Sequence, residues 1–173
     1  MKKLSVAKLM MSTIFGLFIC MSVMAQEEKK MASPPESVEG EINGAKISIH
    51  YHSPSVKGRE IFGGLVPYGK VWRAGANNAT TFETDKDLKI QGETLPAGKY
   101  SFFILPGEEE SVFIFNTVAK QWGAYDYDES KDALRVTVPV EEMDEMEEML
   151  VYKIVDDGIE VKWNHTKFKA IIE

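Results

Sequence analysis

The sequence is short of the residues that most often carry chemistry. It has one cysteine, Cys20, and three histidines, His50, His52 and His165. A lone cysteine forms no intramolecular disulfide and no multi-thiolate metal site. No His-Glu-x-x-His helix motif and no Gly-x-Ser-x-Gly elbow is present, so neither a zincin nor a serine hydrolase is indicated. Positive charge is scarce as well: 20 Lys and Arg face 27 Asp and Glu, a net charge of −7. That sign disfavours nucleic acid and anionic membrane surfaces as partners. The acidic blocks at 108–110, 126–132 and 141–148 read as solvated surface. None has the alternating oxygen ligands, central glycine and closing glutamate of a calcium loop. Carboxylates are plentiful, but no spacing singles out a pair for glycoside hydrolysis. Internal repeats are absent too.

Long apolar runs are limited to one. Lys2 and Lys3 precede an apolar stretch from Leu9 to Val23, which ends in Val23-Met24-Ala25 before Glu27 and Glu28. A positive end, an apolar centre and small residues before a polar start are the three parts of a secretory signal. The stretch is shorter than the roughly 20 residues of a spanning helix. Cleavage is expected after Ala25, which leaves no membrane span. The bulky Ile19 before Cys20 argues against lipid attachment there, so the remaining chain has no cysteine at all. Localisation is therefore expected to be periplasmic or extracellular. Removing residues 1–25 takes three of the 20 basic residues and none of the 27 acidic ones, so the exported chain is more acidic still.

Residues 26–37 are charged, contain Pro34-Pro35 and read as a flexible tether. From Val38 the hydrophobic period becomes two. Val38–Ile42, Asn43-Gly44 and Ala45–Tyr51 form a hairpin signal, because Asn-Gly accepts the left-handed torsions of a tight turn. Ile47, Ile49 and Tyr51 share one face of the second strand, and Ser48, His50 and His52 the other. Glycine and proline density over 54–70 argues for a shaped loop, with Ile61, Phe62, Leu65 and Val66 packing it down. Further short strands are expected at 71–73, 79–84, 88–90, 93–95, 99–105 and 111–116, the last one central because both its faces are apolar. Ala133–Val140 is another strand. Residues 141–148 read as a helical turn, from Met143, Met146 and Met149, or as an acidic loop. Segments 149–155, 159–163 and 167–172 read as a meander. The expectation is an all-β domain over 38–172, an antiparallel β-sandwich or sandwich-like barrel of roughly ten short strands.

From Tyr51 to Asn78 the chain reads Tyr-His-Ser-Pro-Ser-Val-Lys-Gly-Arg-Glu-Ile-Phe-Gly-Gly-Leu-Val-Pro-Tyr-Gly-Lys-Val-Trp-Arg-Ala-Gly-Ala-Asn-Asn. This resembles the DUF2911 family of exported bacterial proteins without an assigned function. The similarity continues through Leu95–Ser101 and Val161–Thr166. It implies a compact, mostly β domain and supplies no catalytic residue; the Met-Glu stretch 141–149 is less regular than the family pattern.

Candidate ligand-binding residues are Arg59, Tyr68, Trp72, Arg73 and Asn77. Arginine offers a rigid fork for carboxylate or phosphate, asparagine a donor and an acceptor, and the indole a flat face. The same groups also suit tying a glycine-rich loop to backbone carbonyls. Arg73 in particular is expected to be under-exposed and hydrogen-bonded near Arg59 or the 74–78 turn. His50 and His52, two apart on one strand, suit metal binding with a third ligand from His165, Glu60 or Glu83, but no spacing specifies one, and a wetter face of the strand accounts for them. Trp122, Tyr125, Tyr127 and Trp163 suit sugar stacking, although filling a core is the commoner use. No metal and no cofactor is implied. The functional expectation is a non-enzymatic envelope module that binds a small polar or anionic ligand or a partner protein. The alternatives are a purely structural or interaction protein and, behind it, a metal-assisted hydrolase using His50 and His52.

The exported protein is expected to begin at Gln26. Intact-mass measurement of the exported form checks this, and a mass that retains the Leu9–Val23 run contradicts it.

Overall fold

A computed structural model describes residues 32–173. The signal and the first half of the tether assigned from sequence lie outside the described residues. The first two strands, β1 (Pro35–Ile42) and β2 (Ala45–His52), pair in register from Pro35↔His52 to Ile42↔Ala45. Asn43 and Gly44, with φ of +52° and +79°, form the tight turn between them. β1 begins at Pro35, inside the expected tether, because a proline is tolerated as the first residue of a strand, where it owes the ladder no donor. Burial along β2 alternates as its sequence does: Ile47, Ile49 and Tyr51 are buried, while His50 is exposed.

The chain continues through β3 (Thr80–Thr84), the small hairpin β4 (Leu88–Ile90) and β5 (Glu93–Leu95), then β6 (Gly98–Leu105) and β7 (Glu110–Asn116). A 3-10 turn at Glu129–Lys131, capped by Asp128, leads into β8 (Asp132–Val155), and β9 (Gly158–Ile171) ends the domain. Seven strands form one antiparallel sheet in the order β1-β2-β3-β6-β7-β8-β9. The sheet curls until it is nearly closed. A Cβ on Gly40 of β1 would lie 2.8 Å from Ile154 Cγ2 of β8, so the first strand runs against the far half of the eighth. Among the described residues no helix is long and apolar enough to cross a membrane.

The interior is one aromatic-rich core, with Phe82, Phe102, Phe113, Phe115, Trp163 and Phe168 each almost fully buried. As its two apolar faces predict, β7 is central. Phe113 and Phe115 point into this core, and Ile114 joins Phe103 and Ala79 in a smaller cluster on the outer face. Tyr127 covers that cluster, its ring 5.1 Å from Phe103.

Among the described residues the strand count is nine instead of roughly ten, and two of the nine are long. Segments 133–140 and 149–155 belong to one 24-residue strand, and Glu141–Glu148 is neither a helical turn nor a loop. The register of β8 against β9 slips between Glu142 and Glu147 and again between Glu147 and Val151. Such bulges bend a strand and let it turn a corner, so β8 pairs with β7 by its first half and with β9 by its second. Asn164-His165, which reads as a turn, is instead a kink within β9. Asn164 takes φ +57°, a conformation asparagine accepts more readily than most residues. β9 coils so tightly that its two ends meet: a Cβ on Gly158 would lie 2.0 Å from the carbonyl oxygen of Ala170.

Because that neighbour is backbone, it has little room to give. Gly158→Ala is expected to cost at least about 2 kcal/mol, the upper part of the overpacking range. Gly40→Ala, which meets the Cγ2 and Cβ of the β-branched Ile154 and not backbone, should cost less, about 1–2 kcal/mol. Urea denaturation midpoints of the two variants check the order.

Candidate functional site

The residues singled out from sequence lie in the long connection between β2 and β3. It is pinned first to the irregular part of β8: Ser53 Oγ donates to Leu150 O at 2.7 Å, Val56 N to Glu148 O at 2.8 Å, and Leu150 N to Pro54 O at 3.0 Å. The Met-Glu stretch thus supplies a backbone edge for the loop. Arg59 then folds onto its own loop, with Nε donating to Val56 O at 3.0 Å and Nη2 to Ser55 O at 2.5 Å. Ile61 and Val66 enter the core. Trp72 bridges to Ile104 of β6 through two backbone hydrogen bonds of 2.8 and 2.9 Å.

The turn that follows is held from inside. Ala74 is fully buried with φ +54°, a conformation costing a non-glycine residue about 1–2 kcal/mol. Its carbonyl oxygen accepts from Tyr152 Oη at 2.6 Å and from Thr80 Oγ1 at 2.9 Å. Burial pushes the Tyr152 hydroxyl well above the ordinary phenol range, so it stays a donor. Trp72 donates its Nε1 to Gly75 O at 3.1 Å and stacks on Trp163, with centroids 5.6 Å apart and planes within 17°.

A cleft of about 380 Å³ opens over this turn. Arg59, Trp72, Arg73 and Asn77 line it together with Trp163. Tyr68 does not: it is exposed, and its ring edge lies against Gly63. No aspartate or glutamate is among the lining residues. Of the three arginines in the chain, Arg135 has acid partners, Asp132 at 3.0 Å and Glu129 at 3.4 Å. Arg59 and Arg73 form no ion pair among the described residues.

Arg73 departs from the expectation that it would tie the turn down. It is partly buried, yet its Nε has no hydrogen-bond partner among the described residues. Its Cδ lies 3.9 Å from where a Cβ on Gly123 would stand, so the stem is covered by a neighbouring loop and not clamped to a carbonyl. The anchoring role belongs to Arg59 alone, since its fork reaches two carbonyls of its own tight turn. Trp163, which also lines the cleft, carries a second buried donor, Nε1, that is unpartnered among the described residues. Trp163 reads from sequence as a core aromatic, and at 1 % exposure it is one. Its importance to the cleft escapes a sequence reading that weighs only the ring; the signal is the indole N–H, which needs an acceptor when buried.

The remaining candidates fall elsewhere. His50 and His52 line a shallow cleft of about 410 Å³ with Asn78 and Thr81, on the face opposite Ile47, Ile49 and Tyr51. His165 is bonded instead to Met143 O at 3.0 Å, and Glu83 is paired with Lys99 at 2.9 Å. Among the described residues no group of three His, Cys, Asp or Glu side chains is close enough to hold a metal ion. Core filling describes Trp163, and Tyr127 is partly buried with its hydroxyl bonded to Asp132. It does not describe Trp122 and Tyr125, which are 60 % and 83 % exposed. Their loop already covers the outer face of β6 and β7 with Tyr127 and Ala124, leaving these two rings outside.

The model of a family described as "Protein of unknown function (DUF2911)" matches residues 33–172. No curated protein and no solved structure matches the chain.

Tyr152→Phe and Thr80→Val each remove one donor from the Ala74 carbonyl and are each expected to cost about 1 kcal/mol. Together they should cost more than their sum, because only the double variant leaves a buried carbonyl with no donor. A double-mutant cycle measured by chemical denaturation checks the coupling.

Proposed function

The chain belongs to the DUF2911 family, and we propose that its domain is a non-enzymatic envelope module that binds a small ligand through acceptor oxygens, a carboxylate or a phosphate. The ligand sits in the cleft of Arg59, Arg73, Asn77 and Trp163. The observation that carries this reading is the pair of unpartnered buried donors, Arg73 Nε and Trp163 Nε1, in a cleft that has two arginines and no acid. An unmet buried donor costs about 1–3 kcal/mol, a cost that a bound oxyanion removes. Charged acceptors answer guanidinium and N–H donors about twice as strongly as neutral ones. Placement in the envelope rests on the signal pattern of residues 1–25.

A structural reading has one observation in its favour, the two carbonyls held by Arg59. The two readings separate at Arg73. If the cleft is scaffold, removing the guanidinium destabilises the fold. If it serves a ligand, Arg73→Met keeps the apolar stem, releases no protein partner, and changes stability by less than about 0.5 kcal/mol, as for a site away from any network.

The test is a thermal-shift and calorimetric screen of the protein starting at Gln26 against carboxylated and phosphorylated metabolites. At least one acidic compound is expected to raise Tm and to bind saturably, with affinity falling as salt rises. Arg73→Met should weaken that binding at least about ten-fold, about 1.4 kcal/mol. A fold destabilised by Arg73→Met together with no acidic binder would reject the ligand reading in favour of the scaffold.

A further inference from the structure

A cleft of about 680 Å³ lies on the outer face of the sheet, sharing His50, Asn78, Ala79 and Thr81 with the shallow histidine cleft. Its floor comes from three neighbouring strands: His50 of β2, its register partner Thr81 of β3, and Lys99 of β6. Its wall is the chain from Lys120 to Trp122, fixed by the Asn78↔Trp122 bridge and by the Ala79 N to Gln121 O bond of 3.0 Å.

The Gln121 amide in that wall has its orientation dictated by a buried neighbour. Asn116 is fully buried, and its Nδ2 donates to Asp128 O at 2.9 Å and to Asp132 Oδ1 at 2.8 Å. Its Oδ1 must therefore face Val118 N, 3.0 Å away, and Gln121. Only the nitrogen of Gln121 can answer an oxygen, and Nε2 does so at 3.1 Å while also reaching Val118 O at 3.0 Å and Ser101 Oγ at 3.1 Å. Gln121 Oε1 is thereby left as a buried acceptor with no donor among the described residues. Beside it the Trp122 ring stands 60 % exposed. Lys120 makes no ion pair among the described residues.

We infer that this cleft is a saccharide-binding site, distinct from the oxyanion cleft. A sugar ring has an apolar C–H face that stacks on one indole and a rim of hydroxyls that both donate and accept. Trp122 provides the stacking face. Gln121 Oε1 takes a hydroxyl proton, and Lys120, Lys99 and His50 supply donors to sugar oxygens. A planar aromatic ligand is less well served, because the cleft has a single exposed indole and a floor of His50, Thr81 and Lys99 that offers polar groups. The cleft is shallow along the sheet, which suits a stretch of a chain more than an isolated monosaccharide.

The test uses the intrinsic probe. Trp72 and Trp163 are 8 % and 1 % exposed, so acrylamide-quenchable emission comes from Trp122. The protein starting at Gln26 is titrated with soluble hexose, N-acetylhexosamine and uronic acid oligosaccharides. At least one series is expected to protect Trp122 from quenching and to bind saturably at millimolar or tighter affinity by calorimetry. Binding should vanish in Trp122→Ala, whose ring packs into no core, and return in part in Trp122→Tyr. Inorganic phosphate should not displace the bound oligosaccharide, which separates this site from the oxyanion cleft. Absence of saturable binding across all three series overturns the inference, and so does binding that persists in Trp122→Ala.

Discussion

One buried carbonyl organises the loop between β2 and β3. Ala74 O receives two hydroxyls from two different strands, Tyr152 on β8 and Thr80 on β3. Together they hold a left-handed alanine that the chain on its own would avoid. Everything useful on either side of the turn inherits its position from that clamp. Trp72 before it is brought flat against Trp163, and Gly75 after it takes the Trp72 indole proton. Arg73 and Asn77 are carried to the cleft by the same short stretch. Strain of this kind persists only where the surroundings over-determine it, and it concentrates at functional sites.

The clamp in turn depends on the bent strands. Tyr152 lies beyond the irregular part of β8, after the register has slipped twice. The bulges turn the strand from the β7 edge toward β9 and the closing β1. The same irregular stretch offers backbone groups to Pro54 and Val56, which dock the start of the loop. A regular strand would have spent those groups on its neighbour. The methionine-glutamate stretch is therefore where the fold makes room for its loop.

Charge sharpens the contrast between the two clefts. Of the three arginines, Arg135 has acid partners, bonded to Tyr127 and Asp132 within the network that also orders Asn116. Arg59 and Arg73 have none among the described residues, although the chain has more acids than bases, and they share one cleft with an unpartnered indole N–H. On the outer face the imbalance runs the other way: the unmet group is an acceptor, Gln121 Oε1. One cleft leaves donors unmet and the other an acceptor, so the two proposed ligands differ in chemistry.

Local pattern carried most of the architecture. Period-two alternation placed Ile47, Ile49 and Tyr51 inward and His50 outward, Asn43-Gly44 placed the first hairpin, and the doubly apolar Ser111–Asn116 segment marked the central strand. These features depend on neighbours one to four residues apart, and a sequence displays them directly. The glycine-rich loop and four of the five residues placed in its cleft were legible for the same reason, as a dense run of unusual residues. What escaped was decided at long range. Whether Glu141–Glu148 continues as strand depends on β9 and the loop that claim its backbone. Whether Arg73 is anchored or unpartnered depends on which carbonyls the fold brings near it, and a sequence lists donors without their acceptors. Trp122 and Trp163 are the same residue type in similar aromatic surroundings, yet one is exposed and the other buried. The Tyr152 to Ala74 bond joins residues 78 positions apart. The sequence by itself therefore determined the strand class, the inward faces and the place of the loop, because those follow from the chain's own torsions and hydrophobic period. Only the tertiary structure decided which polar groups were left without partners, because hydrogen-bond satisfaction belongs to pairs of groups that meet only once the sheet has curled around its core.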